Sequence, residues 1–271
     1  MKLVYLGDSL KHHGIKGQKW GDKNGPPYPL NSKDHSASEK EAGWRKSLHK
    51  SDYTYGKESN KSPTINRDGI VSFPKGFVLN RVGKNSLDIN QSGALYASYG
   101  KQDAARYVKS LGPTLIGKLL GTAGESIQHL EVKTPITMPS NEIVANETLR
   151  LLKSNKRLMK SFDDSFYSMV VEDSNYEKSP LKTAYAVSSM LGDSNYASES
   201  KMIYEHFRKL GYDALPDLHD TMSGTAETSM IIINPDKVSI QSTTTITKDV
   251  MKESKRFVKS LAKLKVNDLL S

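Results

Sequence analysis

Residues 211–240 read GYDALPDLHDTMSGTAETSMIIINPDKVSI, and this stretch decides how the rest of the chain is arranged. A helical pattern ending Met202 to Leu210 stops at Gly211, the residue type that most easily takes a left-handed position after a helix. Tyr212 to Leu215 then reads as a short strand, followed by a polar loop that contains Gly224. Met230-Ile231-Ile232-Ile233 is the most apolar run in the chain and fits a strand buried on both faces. Asn234 to Lys237 reads as a turn, with a further strand beginning at Val238. Glu227 therefore sits where a loop enters a central strand. A carboxylate in such a place costs stability unless it is paired or used.

Upstream, Gly76 to Val82 reads as a strand with Arg81 toward its end, and Ala94 to Tyr99 as a second strand closed by Gly100. Asp103 to Leu111 is expected to be a helix, with Asp103 near its positive end and Gly112 after it. Ile127 to Val132 is a further strand. Ser140 to Lys160 reads as one helix, from the spacing of Ile143, Leu149, Leu152 and Met159. Helices near Leu181–Leu191 and Ala197–Leu210 lead back to the deciding stretch. Strands, then helices, then strands predict an α+β class: a single mixed-sheet domain with a helical insertion, preceded by an extended N-terminal arm.

The 271 residues suit one large domain with appendages, divided here into 1–25, a polar linker 26–62, the domain 63–245 and a C-terminal helix 246–271. Lys and Arg number 39 against 30 acidic residues, a net charge of +9 that favours an anionic partner without choosing one. The basic surplus is also what ordinary solubility would produce. The absence of cysteine excludes disulfides, thiolate metal sites and a Cys nucleophile. No apolar run approaches a membrane span, and Leu3 to Leu6 is too short for a signal-peptide core. The expectation is a soluble chain with no membrane partner, made in the cytoplasm. In the tail, Lys248 to Lys265 holds seven basic and two acidic residues, with Val250, Phe257, Leu261 and Leu264 on one face. It reads as a terminal helix that packs its apolar side on its own domain, with nucleic-acid binding secondary.

Two motifs are decoys. Gly7-Asp8-Ser9-Leu10 spells the nucleophile block of GDSL hydrolases, but no Asp in the chain has a His three residues later to supply the base. Gly112 to Lys118 fits G-x-x-x-x-G-K, yet Leu119 stands where a phosphate loop needs Ser or Thr for magnesium. His12 and His13 are adjacent and lack a spaced partner, as do His206 and His219, so no metal site is expected.

The N-terminal string HHGIKGQKWG, residues 12–21, cannot bury a core but could dock Trp20 in a partner's pocket. It resembles a segment near the N-termini of head-associated proteins in tailed phages of Gram-positive bacteria. That resemblance implies association with the virion through phage head or portal proteins, with His13, Gly14, Gly17 and Trp20 as docking residues. It also implies synthesis in the host cytoplasm and residence in the virion. Asp22 stands where basic residues usually follow the Trp-Gly pair.

A second resemblance rests on Leu79-x-Arg81, Leu95-Tyr96-Ala97-Ser98 and Thr225-Ala226-Glu227, which are similar to the motifs of the mono-ADP-ribosyltransferase fold. It implies NAD as substrate and ADP-ribose transfer to a host protein or nucleic acid. Arg81, Tyr96 and Ser98 would then contact NAD, and Glu227 would stabilise the oxocarbenium-like centre as nicotinamide leaves, with Arg81 and Ser98 assisting. The middle motif departs from the family's Ser-Thr-Ser, and Thr225 stands where arginine-modifying members carry a second Glu. Two alternatives stand beside this reading. Arg81 and Glu227 could be an ion pair between strands, and the protein could be a non-enzymatic minor or internal head protein in contact with packaged DNA.

Overall fold

A computed structural model describes residues 53–84, 86–87, 89–113, 124–161 and 179–270, with side chains described to residue 261. The docking segment with His13, Gly14, Gly17 and Trp20, the Gly7–Leu10 block and residues 114–118 of the phosphate-loop match lie outside the described residues.

The strands are β1 (Thr64–Ile65), β2 (Val71–Phe73), β3 (Val78–Gly83), β4 (Leu95–Ser98), β5 (Ser126–Val132), β6 (Ile136–Met138), β7 (Ala214–Pro216), β8 (Ser229–Ile232) and β9 (Val238–Thr245). The helices are α1 (Lys101–Leu111), α2 (Asn141–Ser154), α3 (Lys156–Ser161), α4 (Pro180–Met190), α5 (Ala197–Lys209), α6 (Leu218–Ser223) and α7 (Lys248–Leu270). Six strands form one sheet in the order β7-β8-β4-β3-β5-β9, and β1-β2-β6 form a second. The class is α+β. The expected mixed sheet is corrected, because every described ladder is antiparallel.

Alternation along the strands sorts the core. Leu79, Leu95, Ala97, Met230 and Ile232 face Phe73, Ile136 and Met138 of the small sheet. The opposite face of the large sheet is covered by helices. Ile231, Leu215 and Ala94 meet the helical layer built from α2, α4 and α5, while Val82 and Ile127 meet α1 and α7. All four residues of β8 are buried, as its apolar run requires. Helix α5 is capped by Leu210, and Gly211 follows at φ +88°, the left-handed position expected of it.

Three expectations are revised. The single helix over 140–160 breaks at Asn155, whose backbone leaves the helical region and whose side-chain oxygen accepts from the Leu158 amide to start α3. The loop before β8 contains α6, capped by the Asp217 side chain and ended by Gly224 at φ +78°. The linker expected through residue 62 already belongs to the fold from Tyr53, whose ring is buried against Phe257 of α7 at 5.5 Å.

Candidate functional site

The segment entering β8 is held by α1. Asp103, in the first turn of α1, is fully buried. Its carboxylate accepts from the Glu227 amide at 3.0 Å, the Thr228 amide at 2.7 Å and the Thr228 hydroxyl at 2.6 Å. Burial pushes this carboxyl up, while the Thr228 and Glu227 hydrogen bonds and the nearby Arg106 charge oppose the shift. One turn on, Arg106 places Nε 3.4 Å from Asp103 and donates from Nη2 to Glu227 Oε1 at 2.6 Å. Thr228 in turn accepts the Gly100 amide on its hydroxyl, which ties the start of α1 to the same loop.

A second polar layer lies beside the first. The Tyr107 hydroxyl donates to Asp220 at 2.5 Å and lies 2.6 Å from Ser229 Oγ. Ser229 also reaches Asp217 at 3.3 Å, and Asp217 caps α6 by accepting from the Asp220 amide. Burial, and then the charge of Asp220, pushes the Asp217 carboxyl up to about 6. His219 stacks on Tyr185, 5.7 Å between ring centroids, and lies 3.6 Å from Asp220. Outside this layer, Arg106, Lys109, Ser110, Gly224, Thr225, Val258 and Leu261 line an open groove of about 370 Å³ between α1, the loop and α7.

Of the residues singled out in the sequence, Arg81 is set apart from Ser98. Asn80 lies opposite Ser98 in the β3–β4 ladder, so those two share a face and Arg81 is turned to the other. Arg81 donates to Gln128, its cross-strand neighbour, at 2.8 Å. Ser98 is fully buried, with its hydroxyl directed at the Asn80 and Gly100 carbonyls at 3.4 and 3.5 Å. The Tyr96 hydroxyl donates to the Leu191 carbonyl inside the helical layer, and burial raises it well above the usual phenol range. Strand parity thus turns Arg81 away from Tyr96 and Ser98, which share the other face of the sheet with Ser229, two residues after Glu227. Glu227 is in an ion pair, as one alternative expected, but its partner is Arg106.

Sequence reasoning missed Arg106, Tyr107, Asp217 and Asp220. Asp217 followed three residues later by Asp220, before a Gly, is a helix-start signal that could have exposed α6. Arg106 carried no signal beyond its i,i+3 spacing from Asp103. Among the described residues, no cluster of three or more His, Asp or Glu is placed to hold a metal ion. No described helix is long and apolar enough to cross a membrane.

The fold and site define an antiparallel α+β domain with a carboxylate-rich polar layer under one loop. Compared with protein-family models, curated proteins and solved structures, the chain matches none of them.

Proposed function

We propose that this chain is a phage virion-associated protein whose folded domain acts by contact, as a minor structural or internal head protein touching packaged DNA. Support for the virion comes from the HHGIKGQKWG string at residues 12–21. The observation that carries contact over catalysis is that Arg81 lies on the opposite sheet face from Ser98 and is engaged with Gln128, while Glu227 is paired with Arg106. NAD cleavage by this family's chemistry needs a phosphate-holding cation and a carboxylate on the same side of the reacting ribose.

The ADP-ribosyltransferase reading is kept as a second reading because of one observation. The strands carrying Arg81 and Ser98, and the strand that Glu227 precedes, are consecutive neighbours in the sheet, β3-β4-β8. Glu227 is also 42% exposed, near the groove that Arg106 lines. The two readings separate on nicotinamide release from NAD, measured with host lysate for the wild type and for Glu227→Gln. The contact reading expects wild type equal to a no-protein blank. Turnover that falls about 100-fold in Glu227→Gln would instead establish the transferase. A second arm deletes residues 1–25 and follows incorporation into particles. Incorporation should be lost, and undiminished packaging would overturn virion docking through that segment.

A further inference from the structure

Helix α7 presents two opposite faces. Toward the domain, Val250 and Ser254 are buried, Phe257 and Val258 pack in the cluster with α1, and Ser254 meets the Tyr53 hydroxyl at 2.6 Å. On the other side Lys248, Lys252, Lys255, Arg256 and Lys259 are all exposed. Lys248, Lys252, Lys255 and Lys259 are three or four residues apart and so share one helix face as a stripe, with Arg256 at its edge. None of the five is in an ion pair among the described residues. The acidic residues of this part of the helix are Asp249, exposed beside the stripe, and Glu253, which accepts from Thr54 at 2.8 Å.

We propose that this stripe holds the sugar-phosphate backbone of duplex DNA without reading its sequence. The proposal rests on the contact reading above and names the surface through which the contact is made. At 1.5 Å per residue, Lys248 to Lys259 spans about 16 Å, enough to reach several successive phosphates. Four of the five cations are lysines, point charges suited to phosphate, and the fork of the one Arg fits phosphate oxygens. The stripe has no aromatic or aliphatic anchor among its charges, which a protein partner's hot spot would need. A membrane surface is disfavoured because the apolar face, which an interfacial helix must bury in lipid, is already spent on α1 and Tyr53. Lys109, exposed across the groove from Val258 and Leu261, extends the basic surface onto α1.

The test uses the full chain and two triple variants of equal charge: Lys252→Gln/Lys255→Gln/Lys259→Gln on the stripe, and Lys153→Gln/Lys156→Gln/Lys160→Gln at the end of α2 and on α3. Affinity for two duplexes of unrelated sequence is measured between about 50 and 200 mM salt, where counterion release is read directly. Wild type should bind both duplexes alike. The stripe variant should lose roughly 2.7 from the slope of log K against log salt, about 0.9 for each phosphate contact removed. The control variant should lose less than half of that. Equal losses in both variants, or none in the stripe variant, would overturn the stripe while leaving DNA contact standing. A preference of tenfold or more for one duplex would overturn backbone-only binding. A wild type without salt-dependent duplex binding would remove both the stripe and the contact reading, and stripe-dependent binding to phosphatidylglycerol vesicles in that case would assign the surface to lipid. Nicotinamide release would overturn the contact reading alone.

Discussion

Asp103 and Glu227 are neighbouring carboxylates with opposite energetics. Asp103 is sealed from water and is the acceptor for two backbone amides and a hydroxyl of the segment entering β8. Removing it strands those donors in the interior, whereas Glu227 makes a partly exposed pair that water can replace. Asp103→Ala is expected to cost about 3 kcal/mol and Glu227→Gln less than about 1 kcal/mol, read from urea midpoints. Equal losses would mean that the ion pair, and not the buried carboxylate, fixes the segment. Asp217 gives a pH signature. Its folded pKa of about 6 lies above the ordinary carboxylate value, so the folded chain holds the proton more tightly. Its contribution is complete below about pH 4, declines as pH rises toward 6, and is gone above that. Asp217→Asn keeps an oxygen for the helix cap but does not ionise. The variant should gain on wild type by up to about 2 kcal/mol between pH 4.5 and 7.5, in urea unfolding at both values. A difference that stays constant across that range would show that Asp217 does not titrate as described.

Among the elements, those with an unbroken signal were legible. Met230 to Ile233 is apolar without interruption and supplies Met230 to Ile232 of β8, and Gly211 follows the end of α5 where its backbone freedom is needed. The short strands β1, β2 and β6 were not legible, because two or three residues carry no periodicity and exist through their pairing. The placement of Arg81 was not legible for a related reason. Whether Arg81 or Asn80 shares a face with Ser98 depends on the β3–β4 register, and a slip of one residue would reverse it. The spacing of Arg81, Ser98 and Glu227 along the chain contains no information about that parity. Helix α7 packs Phe257 and Val258 on its own domain, against Tyr53 from a stretch whose composition reads as linker. The two form one clasp, joined by the Tyr53–Ser254 hydroxyl contact. Tyr53→Ala is expected to cost about 3 kcal/mol, and a chain beginning at Pro63 to melt below one beginning at Ser51. Equal melting temperatures would place the start of the folded domain at residue 63 after all.

At the scale of the molecule, the large sheet is assembled out of chain order. The strands β4-β3-β5 are adjacent in sequence and in space, but the neighbours that cover their two outer edges, β8 and β9, come late in the chain. On a ribosome, the inner three strands emerge with both edges unpaired. About 100 residues must follow before β8 can reach β4, on the order of ten seconds of synthesis. An open edge held that long is a template for pairing with another nascent copy. Pairings so distant along the chain also fold slowly once complete. The order of the sheet thus makes the newly made polypeptide a natural client for chaperones, and its yield in a host should track their supply more closely than its final stability would suggest.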